Sequence, residues 1–270
     1  MCEHCGCAVT EPVGEASGAA HAHGAGSVES VEVLRDLLAE NDRLAAHNRE
    51  HFDAHGVLAI NLMSSPGAGK TALLERTVER LGARLRMAVI EGDLATENDA
   101  QRIRAKGVPA VQITTGNACH LDARMVHHAL DALPLAGLDV LFIENVGNLV
   151  CPASFDLGEH LDVALLSVPE GDDKPQKYPV MFRAADLLLI TKADLLPLLP
   201  EFDPARAETS LRALSSEAPV LALSCRTRGG IDAWCDWLER VRGEHREGAA
   251  ARLAPPSAHV HAGEDHHPVL

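Results

Sequence analysis

The sequence predicts an α/β protein: a three-layer fold in which a mainly parallel sheet is flanked by helices, with flexible tails at both ends. Three observations lead there. Short apolar runs alternate with helical segments along the middle of the chain, and continuous apolar strands joined by helices mean a parallel sheet covered on both faces. One strand-to-helix junction reads Asn61-Leu-Met-Ser-Ser-Pro-Gly-Ala-Gly-Lys70-Thr71, a phosphate-binding loop. Both ends are rich in small and polar residues with no apolar period.

Residues 1–29 read as a cysteine-bearing tip on a tether. In Cys2-Glu3-His4-Cys5-Gly6-Cys7 the glycine lets the backbone turn, so that the thiols can face one ion. Cys-x-x-Cys spacing inside a cell points to metal or redox work, the alternative being a disulfide or incidental cysteines. Residues 30–56 read as a leading helix, with Ser30 as N-cap, Gly56 as stop, and Val31, Leu34, Leu37, Leu38, Leu44 and Phe52 at loosely helical spacing.

The body spans 57–243. Val57–Ser64, Arg86–Glu91, Ala110–Thr114, Val140–Glu144, Val163–Ser167, Leu187–Thr191 and Val220–Ser224 read as strands. Lys70–Leu81, Asp99–Lys106, Asp122–Leu133, Pro204–Ser215 and Ile231–Arg242 read as the helices between and after them. Residues 244–270 become charged, then Pro- and His-rich, and read as a second tail. His259, His261, His266 and His267 crowd its end, and His21 and His23 lie in the tether. Such tracts bind late transition metals, the alternative being a solvated tail.

Composition narrows the function. A net charge of -15 with scattered basic residues excludes a general nucleic-acid binder. No apolar stretch is long enough to span a bilayer and no secretory segment is present, so a soluble, cytoplasmic protein is expected. The 3% aromatic content calls for an aliphatic core, and seven cysteines, an odd number, suit working thiols better than a disulfide framework.

At the phosphate-binding loop, backbone N–H groups of Gly67, Ala68, Gly69, Lys70, Thr71 and Ala72 are placed to wrap phosphates. Lys70 would reach the β- and γ-phosphates and the Thr71 hydroxyl would bind Mg²⁺. Ser64 stands where the pattern usually has its first glycine. Asp93, ending Glu91-Gly92-Asp93, can hold Mg²⁺ or orient the attacking water, and Asp99 is a second candidate for that role. Glu144-Asn145-Val146-Gly147 ends a strand where a switch motif belongs, with Glu in the place of Asp, the mark of one branch of P-loop GTPases.

Thr191-Lys192-Ala193-Asp194 looks like a guanine-reading motif, because the Asp194 carboxylate can accept from both the ring N–H and the exocyclic amine of guanine. Thr in place of the usual Asn leaves one loop-bracing hydrogen bond open. Ser224-Cys225-Arg226 follows the last strand and resembles the loop that closes over the base. Lys70, Asp93 and Glu144 are therefore the catalytic candidates. No arginine stands out as a finger, so hydrolysis should be slow, on the order of 10⁻³ per second or below.

A second metal site is suggested by Cys119-His120 and Cys151, which follows the switch segment. Three ligands are one short of a closed zinc shell, and a symmetric dimer would bring two triplets together. The bland alternative is a buried cysteine pair with a capping histidine.

Taken with the tip, the segments Ser-Ser-Pro-Gly-Ala-Gly-Lys-Thr, Thr-Gly-Asn-Ala-Cys-His-Leu-Asp-Ala, Phe-Ile-Glu-Asn-Val-Gly-Asn-Leu-Val-Cys-Pro and Glu-Gly-Asp-Asp-Lys closely resemble the HypB family of nickel-incorporating GTPases. That resemblance implies a P-loop NTPase fold, a GTP/GDP cycle with Mg²⁺, and delivery of Ni²⁺ to a [NiFe]-hydrogenase large-subunit precursor beside a HypA-type nickel and zinc partner. It implies a tight nickel site at Cys2, Cys5 and Cys7, and a weaker Ni²⁺ or Zn²⁺ site at Cys119, His120 and Cys151. It also implies a nucleotide- or metal-dependent homodimer, for which Lys174 and Lys177 are candidates to reach the partner's nucleotide. A urease-type nickel GTPase shares the P-loop but usually carries Cys-Pro-His instead. A nickel store built on a spent G-domain scaffold would not need Lys70, Thr71, Glu144 and Asp194 together, and an ATPase of the same fold would bind ATP in competition with GTP.

Two mechanistic expectations follow. A free α-amino group would supply the fourth, square-planar donor at the tip, so an N-terminal extension should weaken nickel binding. Cys151 lies four residues after Gly147, so a γ-phosphate that pulls the switch segment should move a metal ligand.

Overall fold

The computed structural model describes residues 26–94 and 97–253; Cys2, Cys5, Cys7, the tether and the histidines of 254–270 lie outside the described residues. A leading helix α1 (Gly26–His55) is followed by β1 (Leu58–Ser64), α2 (Lys70–Leu81), β2 (Met87–Asp93), α3 (Asn98–Arg104), β3 (Ala110–Thr114), α4 (Ala123–Leu130) and β4 (Val140–Glu144). Then come β5 (Leu161–Ser167), α5 (Lys174–Lys177), α6 (Pro179–Ala184), β6 (Leu187–Thr191), α7 (Pro204–Arg212), β7 (Val220–Ala222) and α8 (Ile231–Leu253).

The seven strands form one sheet in the order β3-β2-β4-β1-β5-β6-β7, with every pairing parallel. Their apolar continuity follows from burial on both faces. On one face Leu58, Ile60, Leu62 and Phe142 pack against Leu73 and Leu74 of α2 and Trp234 and Leu238 of α8. The buried Trp234 indole donates to the Thr77 hydroxyl at 2.8 Å, so its polar edge is satisfied. On the other face Ala59, Leu141 and Ile143 pack against Phe52 of α1 and Val126 and Ala129 of α4. Met63, Leu166 and Leu188 form a third cluster with Met181, Phe182 and Leu211.

The short helices α5 and α6 lie outside the expected set, and helix boundaries depart furthest from expectation at Ser30 and Gly243. Ser30 lies inside α1, because nothing between Gly26 and Ser30 turns the chain away, and serine caps only where such a turn occurs. At its other end α1 stops at Gly56 as expected, with φ +65° and the Val57 amide donating to the Phe52 carbonyl at 2.9 Å. Helix α8 runs through Gly243 to Leu253, so the body ends later than residue 243. Its two interior glycines, Gly243 and Gly248, cost only about 1 kcal/mol each, and the good helix formers around them outweigh that, with Glu244 reaching back to Arg240 at 2.8 Å.

Topology positions the site. Strand β1 emerges between β4 and β5, while the chain leaves it by α2 for β2 beyond β4. The crevice at the carboxyl ends of these strands is where open parallel sheets bind ligands.

Candidate nucleotide and metal site

The loop from β1 to α2 is shaped by two glycines in left-handed backbone, Gly67 at φ +75° and Gly69 at φ +101°, which side chains with a Cβ rarely adopt. Lys70 opens α2 and is buried, its Nζ donating to the Ser64 hydroxyl at 3.0 Å. Ser64 in turn donates to the Ser65 carbonyl at 2.8 Å. The serine that replaces the usual glycine therefore holds the lysine. Burial pulls Lys70 below the ordinary lysine range, opposed by the charges of Glu144 and Glu91. Ser65 also donates to Glu170, whose other oxygen accepts from the Ser167 amide at 2.9 Å, so the end of β5 braces the phosphate loop.

Adjacent strands place two carboxylates side by side, with Glu91 of β2 in register with Glu144 of β4. The Thr71 hydroxyl donates to Oε1 of Glu144 at 2.9 Å. Burial, reinforced by the neighbouring carboxylates Glu144 and Asp93, pushes Glu91 up to about 8. Burial pushes Glu144 up to about 7, although Lys70 and Thr71 pull it down. One oxygen of each, Oε2, is buried with no hydrogen-bond partner. Asp99 completes a group whose oxygens lie within 4.8 Å of one another. Orphaned, crowded oxygens beside a threonine hydroxyl fit a hard divalent cation such as Mg²⁺.

Asp93 lines the same cleft of about 350 Å³ as Lys70, Thr71, Glu144 and Gly147. The structure thus brings together all three catalytic candidates and the alternative Asp99, and adds Glu91. It also brings Arg102 to the cleft wall, held by Glu75 at 2.8 Å and Asp99 at 2.7 Å. Sequence reasoning missed Arg102, since a helical arginine carries no signal of what its helix faces. Glu91 had a signal: it is an acidic residue directly after the apolar run Met87–Ile90.

Gly147 presses directly on the phosphate loop. A Cβ there would lie 2.8 Å from both Cα and N of Pro66. Switch segment and phosphate loop are in backbone contact.

Beyond Gly69 the crevice widens into a second cleft of about 420 Å³, lined by Ala68, Ala72, Thr191, Lys192, Asp194, Cys225 and Arg226 among others. The Thr191 hydroxyl donates to the Ala68 carbonyl at 2.7 Å. Threonine therefore supplies a brace between base loop and phosphate loop. Lys192 follows in left-handed backbone at φ +56°. Asp194 Oδ1 accepts from the Ser224 hydroxyl at 2.6 Å, and Arg226 stands 3.9 Å from Oδ2. Burial pushes the Cys225 thiol up to about 11, so it lines the cleft as a neutral group.

The second metal triplet also assembles. Cys119 Sγ and Cys151 Sγ lie 3.1 Å apart as free thiols, and His120 Nδ1 is 3.9 Å from Cys119 Sγ. The thiol–thiol hydrogen bond raises Cys151, and burial lowers His120. Phe155 stacks on the His120 ring at 3.9 Å. Asp122 caps α4 by accepting from the Met125 amide at 2.8 Å, which fixes the loop just before it.

Two asparagines of the switch region grip that loop. Buried Asn145 accepts from the Leu121 amide at 3.2 Å, and Asn148 donates to the Cys119 carbonyl at 3.3 Å. Neither stands out in the sequence as a loop-holding residue. Lys174 and Lys177 lie away from both clefts, Lys177 paired with Asp173 at 2.5 Å.

Comparisons with known proteins follow the same residues. The CobW/HypB/UreG nucleotide-binding domain matches residues 58–222. Hydrogenase maturation factor HypB of Azotobacter vinelandii is 54% identical over 230 residues, covering 85% of this chain and 76% of that protein. The factor of the same name from Escherichia coli K12 is 51% identical over 229 residues, covering 85% and 79%. Among solved structures, HypB from Helicobacter pylori in complex with nickel superposes with a TM-score of 0.73 at 43% identity, covering 77% of this chain and 97% of that one.

Proposed function

The chain belongs to the CobW/HypB/UreG family and, within it, to the HypB hydrogenase maturation factors; from that premise we propose that it is a GTPase that carries Ni(II) and helps insert it into a [NiFe]-hydrogenase precursor. The observation that carries this reading is the pair of bonds from Asn145 and Asn148 to the loop holding Cys119 and His120. The segment placed to sense a γ-phosphate is the one that holds the metal ligands.

In the proposed reaction, the backbone N–H groups from Gly67 to Ala72 and the Lys70 ammonium neutralise the GTP phosphates. Thr71, Glu144 and the acidic group beside them would hold Mg²⁺, which would supply further charge neutralisation at the phosphates. Asp93 orients a water, whose oxygen bonds to the γ-phosphorus as the bond to the bridging oxygen breaks, releasing GDP and phosphate. Asp194 reads guanine in the base cleft, while Thr191 ties that cleft to the phosphate loop. Ordering of Glu144–Gly147 on the γ-phosphate then shifts Cys119, His120 and Cys151 through the two asparagines, altering nickel affinity.

On the same reading the protein works in the cytoplasm as a nucleotide- or metal-dependent homodimer with a HypA-type partner, and the internal triplet takes Zn²⁺ or Ni²⁺. No helix among the described residues is long and apolar enough to cross a membrane. The test is GTP hydrolysis with ATP as competitor, together with nickel-dependent activation of hydrogenase precursor, for wild type and Lys70→Ala. Nickel-dependent maturation that survives without GTP turnover would overturn the proposal.

A further inference from the structure

A second imidazole cluster lies apart from both clefts, between α1 and α4. His47 and His51 occupy neighbouring turns of α1, and His127 of α4 faces them, with one ring nitrogen from each within 4.8 Å of the others. The Nε2 atoms of His47 and His51 are 3.1 Å apart. Zinc–nitrogen bonds of about 2.0–2.1 Å at tetrahedral angles place neighbouring donors about 3.3 Å apart, so the His47–His51 pair already has that spacing and the His127 ring closes on it to complete the set.

Hydrogen bonding fixes the donor atom of His127. Asn48 is buried, and its Nδ2 donates to the Ala123 and Leu157 carbonyls at 2.8 and 3.0 Å. Its Oδ1 therefore faces His127 Nδ1, 3.1 Å away, and can only accept. Nδ1 must carry the proton, which leaves the Nε2 lone pair for a metal. A ring N–H held by an amide or carboxylate oxygen is the usual outer support of a metal-ligating histidine. His47 Nδ1 lies 3.9 Å from the exposed Glu50 carboxylate, near it but beyond hydrogen-bond distance. Burial, then neighbouring imidazoles, keep His51 and His127 below the ordinary histidine range and so neutral.

A nearby cluster shows the opposite arrangement. His160 Nδ1 accepts from the Ala59 amide at 3.0 Å, so its proton sits on Nε2, which faces Asp53 at 3.4 Å. That ring has no lone pair to give. The His47–His51–His127 group does, and it opens onto a cleft of about 290 Å³ lined by His51, His55, His127 and Asp131 among others, which gives an ion its way in.

We infer that His47, His51 and His127 form a binding site for a borderline divalent cation of the Zn(II) type, with solvent as fourth ligand. It is independent of the cysteine sites, and its ion ties α1 to α4.

The test uses the full chain carrying Cys2→Ser, Cys5→Ser, Cys7→Ser, Cys119→Ser and Cys151→Ser, with Zn(II) for stability and Co(II) for spectroscopy. Saturable Zn(II) should raise the unfolding temperature, and Co(II) should give four-coordinate ligand-field bands without thiolate charge transfer. Both signals should vanish in His127→Gln and His51→Gln. His47→Gln, at a partly exposed position of the triad, repeats the reading, and metal-free circular dichroism melts confirm that each variant folds. No Zn(II) effect in the parent, or an unchanged effect and spectrum in the folded histidine variants, would overturn the assignment.

Discussion

The Thr71 hydroxyl donates to Oε1 of Glu144 at 2.9 Å, both side chains buried at the carboxyl end of the sheet. This bond joins the phosphate loop to the switch segment. It also leaves Oε2 of Glu144 without a partner. Glu144→Gln keeps an oxygen that can accept from Thr71 but removes the charge. We expect Mg²⁺-dependent GTP hydrolysis to fall about 100-fold or more, with the fold intact and GDP affinity in chelator little changed. Steady-state turnover beside chelator-treated GDP binding separates the two effects.

The same carboxylates set a pH dependence. Glu91 at about 8 and Glu144 at about 7 hold protons in the folded chain that the unfolded chain has already released. The native state binds more protons, so the stability from this pair is full below about pH 4.5 and is lost as pH rises through about 7 to 8. Metal-free melts should therefore show falling stability over that window, less steep in Glu91→Gln. On the proposed reading Mg²⁺ displaces those protons, so its stabilisation should grow over the same window. A flat metal-free profile would count against the buried carboxylates.

Thr191 offers a sharper test of the base cleft. Thr191→Val removes the hydroxyl and leaves the Ala68 carbonyl unpaired, at about 1–3 kcal/mol. If that energy goes into loop positioning, GDP affinity should drop about 5- to 150-fold in a fluorescent-nucleotide titration, and Thr191→Ser should restore most of it. Equal loss in both variants would assign the effect to packing.

Gly147→Ala tests the contact between switch and phosphate loop. The new Cβ meets Pro66 backbone at 2.8 Å, where no flexible side chain can give way. Overpacking of this kind costs typically about 1–3 kcal/mol, and here it should lower both the melting temperature and GTP-analogue affinity.

Much of this was legible in the sequence, because apolar runs and turn signals are local. All seven strands fell within a few residues of their observed positions, and Gly56 and Asp122 ended and began helices as their chemistry dictates. Ser30 and Gly243 misled because a single capping or breaking residue is outvoted by helix-forming neighbours. The site's motif residues were also legible, being contiguous. What was missing is what register and tertiary packing decide. Glu91 meets Glu144 only through strand pairing, Thr191 finds Ala68 across 123 residues, and Asn145 and Asn148 reach the Cys119 loop only in the fold.

Those last two bonds carry the central claim, that nucleotide and metal report to each other. The direct measurement is Ni(II) affinity of the full chain with Cys2, Cys5 and Cys7 changed to serine, in GDP-bound and GTP-analogue-bound forms. The account predicts affinities that differ about 5-fold or more, the scale of ordinary coupling between sites, and that converge in Asn145→Ala. Indistinguishable affinities for the two nucleotide states would contradict it.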